Sequence, residues 1–180
     1  MNSILKDISD NHIAEEFANR FKRKTGEQLK SSSSAANHLR ATLSGLTNDI
    51  ERFMVIFLDS QLKIISTEIV ASGTIASSAV YPREIIKKVL QHEAAHIIVG
   101  HNHPSGETLP SSSDRAVTKK LQTALAALDI DMLDHVIVGD GFFSFSDQGL
   151  LLVPGSLHRI STCTRMRLKS CVLHYMQMLC

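Results

Sequence analysis

An α/β fold, with a mixed β-sheet flanked by helices, is what this sequence predicts. Three observations carry that reading. Short apolar or β-branched runs of strand length, such as Phe53 to Leu58, alternate with segments of helical period. Two of the strand runs are close enough to form a hairpin, while others are separated by helices, so antiparallel and parallel pairs coexist. The chain has 180 residues, 43% apolar and 21% charged, which suits one ordinary domain with a small appendage.

The elements follow in order. Residues 9–25 read as a helix: Asp10 can cap it, and Ile13, Phe17 and Phe21 recur at four-residue steps. Lys22-Arg23-Lys24 sits where the helix dipole favours cations, with Gly26 beyond. Ser31 to Ser34 reads as a flexible linker and Ala35 to Leu46 as a short helix ending near Gly45. Phe53 to Leu58 is a strand, Asp59-Ser60 a turn, and Leu62 to Val70 the returning strand. Gly73 to Val80 is a polar loop. Pro82 then opens a helix with Ile85, Ile86, Val89 and Leu90 on its apolar face. Ile97-Ile98-Val99 is a buried strand, and Pro104, Gly106 and Pro110 mark the loop after it. Ser112 to Leu128 is a helix with Val117, Leu121, Leu125 and Leu128 on one side. His135 to Val138 and Phe142 to Phe145 are strands joined by a turn at Asp140-Gly141. This divides the chain into a helix and serine-rich linker over 1–35, a domain over 36–152, and a tail over 153–180 outside the fold.

Charge narrows the function classes. Nineteen Lys and Arg against eighteen Asp and Glu give a net of +1, but the two ends differ. Residues 1–150 hold fifteen basic and eighteen acidic groups, whereas the last thirty hold four basic and no acidic ones. The body is therefore not a cationic nucleic-acid binder. The two basic segments, Lys22 to Lys24 and Arg159 to Lys169, are the places where DNA contact would occur. Cys163, Cys171 and Cys180 all lie in the tail and lack zinc-type pairing, so they read as free thiols. No run approaches the roughly 20 apolar residues of a membrane span, and Met1 to Asp10 has no secretory pattern. A cytoplasmic protein is expected.

The densest chemistry is His101-Asn102-His103-Pro104-Ser105-Gly106, followed by Ser111 and Asp114. If the strand continues through His101 and His103, both imidazoles project to one side, about 6.6 Å apart along the chain. Pro104 and Gly106 let the chain turn back. Ser111 and Asp114 then fall on the first turn of the next helix, on one face. Two His and one carboxylate, with a position left for water, make the ligand set of a catalytic zinc site. Ser111 with Asp114 also has the form of a helix N-cap pair.

The spacing His-x-His, ten residues, Asp, with Ser eighth among the ten, resembles the JAMM (MPN-type) metalloprotease motif. The flanking runs Tyr81-Pro82-Arg83-Glu84, Pro110-Ser111, Asp134-His135-Val136-Ile137-Val138-Gly139 and Ser144-Phe145 resemble the bacterial RadC proteins, over about residues 36–151. The resemblance implies a JAMM/MPN (cytidine-deaminase-like) fold with one zinc ion on His101, His103 and Asp114. It implies a glutamate just before the first strand that acts on the zinc-bound water. Glu51 occupies that place, with Glu68 in the second strand as its rival, and Ser111 would help hold the oxyanion. The implied activity is cleavage of an amide in a peptide or isopeptide substrate. The alternative is a non-catalytic metal-binding module for DNA repair or other DNA transactions.

His92-Glu93-Ala94-Ala95-His96 also fits the H-E-x-x-H zincin pattern, which needs both His on one helix. The β-branched run Ile97-Ile98-Val99 follows at once, so the helix is expected to end before His96 joins its face. His92 then reads as an exposed helix residue and His96 as a strand start. His101-Asn102-His103 does not make an HNH nuclease, whose letters are spread along a longer motif. A zinc deaminase would need cysteine ligands, and the body of the chain has none. His135 reads either as a support behind the metal site or as a satisfied core histidine.

Overall fold

Strand β1 (Arg52–Leu58) is buried along nearly its whole length, which explains its unbroken apolar sequence: both of its faces are covered. A computed structural model describes residues 9–73 and 80–151 of the protein. The expected loop residues 74–79, and the tail with its three cysteines, lie outside the described residues. β1 pairs antiparallel with β2 (Ile64–Ser72) on one side and with β3 (His96–Asn102) on the other. β3 runs parallel to β4 (Asp131–Val138), and the short β5 (Phe142–Ser144) returns antiparallel to β4. The sheet order is β2-β1-β3-β4-β5, the mixed sheet that the sequence implies.

Alternation along the strands sends side chains to two cores. Phe53, Val55, Phe57, Ile97, Val99 and Ile137 meet one pair of helices, α3 (Pro82–Gln91) and α4 (Ser112–Ala126), through Ile85, Val89, Val117, Leu121 and Leu125. On the opposite face Met54, Ile56, Leu58, Ile98, Val136 and Val138 meet Ala35, Ala36 and Leu39 of α2 (Ser32–Leu43). Gly100 makes this second packing close. A Cβ there would lie 2.4 Å from Leu39 Cδ1 and 2.7 Å from the Val136 carbonyl oxygen. Two residues expected on apolar faces, Leu90 and Leu128, are instead exposed, at the ends of α3 and just beyond α4.

The serine run is not a linker. Ser31 caps α2: its hydroxyl accepts from Ser34 N–H, and the Ser34 side chain accepts from Ser31 N–H, a reciprocal capping box. Capping by serines replaces the acid–serine pairs that usually announce a helix start, and the boundary expected at 35/36 falls inside the helix. The strand β2 starts two residues later than expected. Asp59 Oδ1 accepts from both Gln61 N–H and Lys63 N–H and so widens the turn.

Helix α1 (Asp10–Phe21) also departs from expectation at both ends. Its cap is Ser9, whose side chain accepts from His12 N–H, and not Asp10. It stops before residue 25 because the Arg23 N–H donates to His38 Nδ1 at 2.8 Å and not to a helix carbonyl. His38 is 1% exposed and uses its other nitrogen to reach Thr67 Oγ1 at 2.8 Å, which ties α1 and α2 to β2. Burial, and then the charges of Lys22 and Arg23, lower its pKa from 6.5 to about 4.

That shift has a sign. The folded His38 resists a proton that the unfolded chain takes up below pH 6.5, so its contribution is full above that pH. It is lost as the pH falls toward 4, by on the order of 3 kcal/mol. Urea denaturation of the wild type and His38→Gln at pH 7.5 and pH 4.5 measures it. The stability difference between the two proteins should shrink by about 2–3 kcal/mol at the lower pH. A difference that does not change with pH would remove His38 as the source.

Candidate metal centre

The site forms where β3 ends and α4 begins. β3 stays extended through His101 and Asn102, which puts His101 on the α4 side of the sheet, with its side chain 1% exposed. His103 follows in the turn. Its N–H donates to the Val138 carbonyl at 2.9 Å, and its carbonyl accepts from Gly106 N–H at 3.0 Å. Gly106 in turn packs on the end of β4. A Cβ on Gly139 would come within 2.3 Å of the Gly106 carbonyl oxygen, so only glycine lets the histidine loop lie this close.

The chain then reverses and enters α4 with Ser111 as N-cap. Asp114 at the third helical position receives the Ser111 N–H (2.7 Å) and hydroxyl (2.6 Å) on Oδ2, while its own N–H donates back to Ser111 Oγ (3.1 Å). The N-cap geometry of this pair is therefore realised, and it aims the carboxylate inward. Asp114 Oδ1 lies 3.2 Å from His101 Nε2, and Oδ2 lies 3.6 Å from His103 Nε2. The two imidazole Nε2 atoms are 2.9 Å apart. Burial opposes ionisation of Asp114, but the neighbouring His101 and the hydrogen bonds from Ser111 outweigh it and hold the carboxyl well below the usual carboxylate range.

His103 Nδ1 reaches the Glu107 carbonyl at 2.8 Å. A carbonyl can only accept, so that nitrogen carries a proton, and in the neutral ring Nε2 presents its lone pair to the centre. A lone pair and a carboxylate thus converge on one point, with the second imidazole beside them. The three donor atoms lie within 4.8 Å of one another, and this is the one such group among the described residues. A divalent cation with nitrogen and oxygen preference fits this donor set.

The sheet register places the glutamates. β1 and β3 pair Phe53 with His101, the last pair of that ladder, and Glu51 stands two residues before Phe53, just ahead of β1. Its carbonyl accepts from Gly73 N–H at 2.9 Å. Glu68 lies on the far side of β1, opposite Val55, and its carboxylate is occupied by Lys88 and His92, each at 2.5 Å. The Lys88 hydrogen bond, aided by His92, lowers its pKa.

The H-E-x-x-H pair does not converge. His92 is the C-cap of α3, while His96 is the first residue of β3. His92 is not the exposed residue expected: it binds Glu68 and lies against Phe57, with ring centroids 4.5 Å apart. His96 faces Asp131 at 3.4 Å.

Two residues that the sequence reading passed over help to build the site. Asn102 projects away from the histidines, accepts Arg52 N–H on Oδ1 (2.8 Å) and donates to the Ile50 carbonyl (3.0 Å). It clamps the segment that carries Glu51. Thr118, one turn below Asp114, donates to the Asp114 carbonyl and contacts His135. An Asn between two histidines was the available signal for the first. The four-residue step from Asp114 was the signal for the second.

The RadC-like JAB domain family matches residues 29–150. A UPF0758 protein of Photobacterium profundum is 45% identical over 148 residues, 81% of this chain and 62% of the relative. A UPF0758 protein of Vibrio atlanticus is 46% identical over 116 residues, 63% of this chain and 52% of the relative. One from Vibrio cholerae is 38% identical over 140 residues, 78% of this chain and 87% of the relative. The chain spans roughly half to two thirds of the length of the first two. Their names state no activity. The chain belongs to the RadC-like JAB domain family. Among the described residues no helix is long and apolar enough to cross a membrane.

Ser111 should carry a measurable share of stability through its cap. Ser111→Ala is expected to lower the unfolding free energy of the metal-free protein by about 1 kcal/mol. Urea denaturation of the two proteins in excess chelator checks this, and an unchanged midpoint would contradict the capping account.

Proposed function

We propose that this protein is a zinc-dependent hydrolase of the JAMM type, cleaving an amide bond in a peptide or isopeptide. The observation that carries the reading is the convergence of His101, His103 and Asp114 on one point. Two imidazoles and one carboxylate suit one zinc ion with a position open to water. Bound there, zinc would lower the pKa of a coordinated water to about 7 and polarise the substrate carbonyl.

The protein's own groups would do the rest. Glu51 would take a proton from the attacking water and return it to the leaving amine. Its place just ahead of β1, two residues before the partner of His101, supports it over Glu68, which lies on β2 with β1 between it and β3. Ser111 is exposed at the mouth of the site. Its hydroxyl proton serves Asp114, and on turning outward it would donate to the oxyanion of the tetrahedral intermediate. The hydrolase unit is proposed to include the whole of α2 and to run to residue 152, with the basic tail outside it and the reaction in the cytoplasm. No observation among the described residues favours the DNA-module reading. Arg23 of the first basic segment pairs with Glu27 at 3.6 Å.

Metal analysis and peptidase assays on the zinc-loaded protein test this. His103→Ala should lose zinc, and His92→Ala should keep it; the reverse pattern would revive the H-E-x-x-H pair. Glu51→Gln should keep zinc and lose turnover of a peptide and isopeptide library by about 100-fold or more. Full activity in that variant would refute its role as base.

A further inference from the structure

His135 is fully buried and touches no point at which a substrate could bind, yet it is hydrogen-bonded on both ring nitrogens. Nε2 meets His101 Nδ1 at 2.9 Å, and Nδ1 meets Thr118 Oγ1 at 2.6 Å. The proton positions along this chain follow from its far end. Thr118 Oγ1 lies 2.5 Å from the Asp114 carbonyl oxygen. Two oxygens that close need a proton between them, and the carbonyl has none to give, so the single hydroxyl hydrogen of Thr118 is spent there. Thr118 can then only accept from His135, which fixes the His135 proton on Nδ1. A neutral His135 presents a bare Nε2, and that nitrogen can only accept from His101 Nδ1–H.

We propose that Thr118 and His135 are positioning residues that set the tautomer of His101. They hold its proton on Nδ1 and so keep Nε2 turned, lone pair outward, toward His103 and Asp114. The inference rests on the metal-site reading, and it states how the site is kept ready before any ion arrives. His103 reaches the same tautomer by its bond to the Glu107 carbonyl. The two imidazoles are thus set by different devices, one in the loop and one in the core. The ring of His135 is fixed in place by aromatic neighbours: Phe145 stacks on it at 4.9 Å and 11°, and Phe53 meets it edge-on at 5.6 Å. The same chain of bonds begins at the Asp114 backbone. It therefore couples the carboxylate ligand on α4 to the histidine ligand on β3 through β4.

Two measurements test the proposal. Nitrogen-15 NMR of the histidine rings in the metal-free wild type should show a proton on Nδ1 of both His101 and His135 at pH 7.5. A His101 ring bare at Nδ1 would overturn the inference and leave the metal site standing. Zinc affinity by competition with a chromophoric chelator should fall about 10- to 100-fold in His135→Phe and about 10-fold in the near-isosteric Thr118→Val. Thr118→Ser, which keeps the hydroxyl, should restore it. Wild-type affinity in a folded Thr118→Val would also overturn the inference. If His103→Ala binds zinc as the wild type does, the metal-site reading fails instead, while the NMR result still decides the tautomer.

Discussion

The site depends on one unfavourable arrangement: electron-rich atoms held at hydrogen-bonding distance where water is largely excluded. His101 Nε2, His103 Nε2 and the Asp114 carboxylate all face one another. Without a cation or a shared proton between them, their lone pairs and charge repel. Nothing in local chain preference brings these groups together. The surrounding fold must impose the arrangement, and a metal ion would relieve it.

Several independent constraints impose it. Parallel pairing of β3 with β4 carries His101 to the level of Ile137 and lets His135 reach it from one step below. The capping box fixes Asp114 by three hydrogen bonds with Ser111, so helix formation and placement of the carboxylate are one event. The close approach of Gly106 and Gly139 holds the His103 loop down on the sheet. Asp134, whose pKa burial raises to about 6, accepts from His135 N–H, Ser144 Oγ and Ser146 N–H. It thereby ties the strand behind His101 to the turn after β5.

Much of this was legible in the sequence, for identifiable reasons. The cluster of His101, His103 and Asp114 is local: a strand, a turn and a helix start within fourteen residues, where spacing is geometry. The failure of the H-E-x-x-H pair was readable in the same way, from the β-branched run after His96. Glu51 was not fixed by spacing, because its place depends on the register between β1 and β3, a non-local property. His135 was left between two roles for the same reason: its partners, His101 and Thr118, come from another strand and a helix. The serine run misled because low complexity and serine capping look alike until the reciprocal bonds of Ser31 and Ser34 are seen. The end of α1 misled because a side chain from α2, His38, takes the N–H that the helix would have used.

The central claim is that these three residues hold one metal ion. The most direct test is an anomalous difference map at the zinc edge, from crystals grown with one equivalent of zinc. The account predicts one peak bonded to His101 Nε2, His103 Nε2 and an Asp114 oxygen, at about 2.0–2.2 Å from each. A peak at His92 and His96 in its place, or an ordered site with no peak, would contradict it.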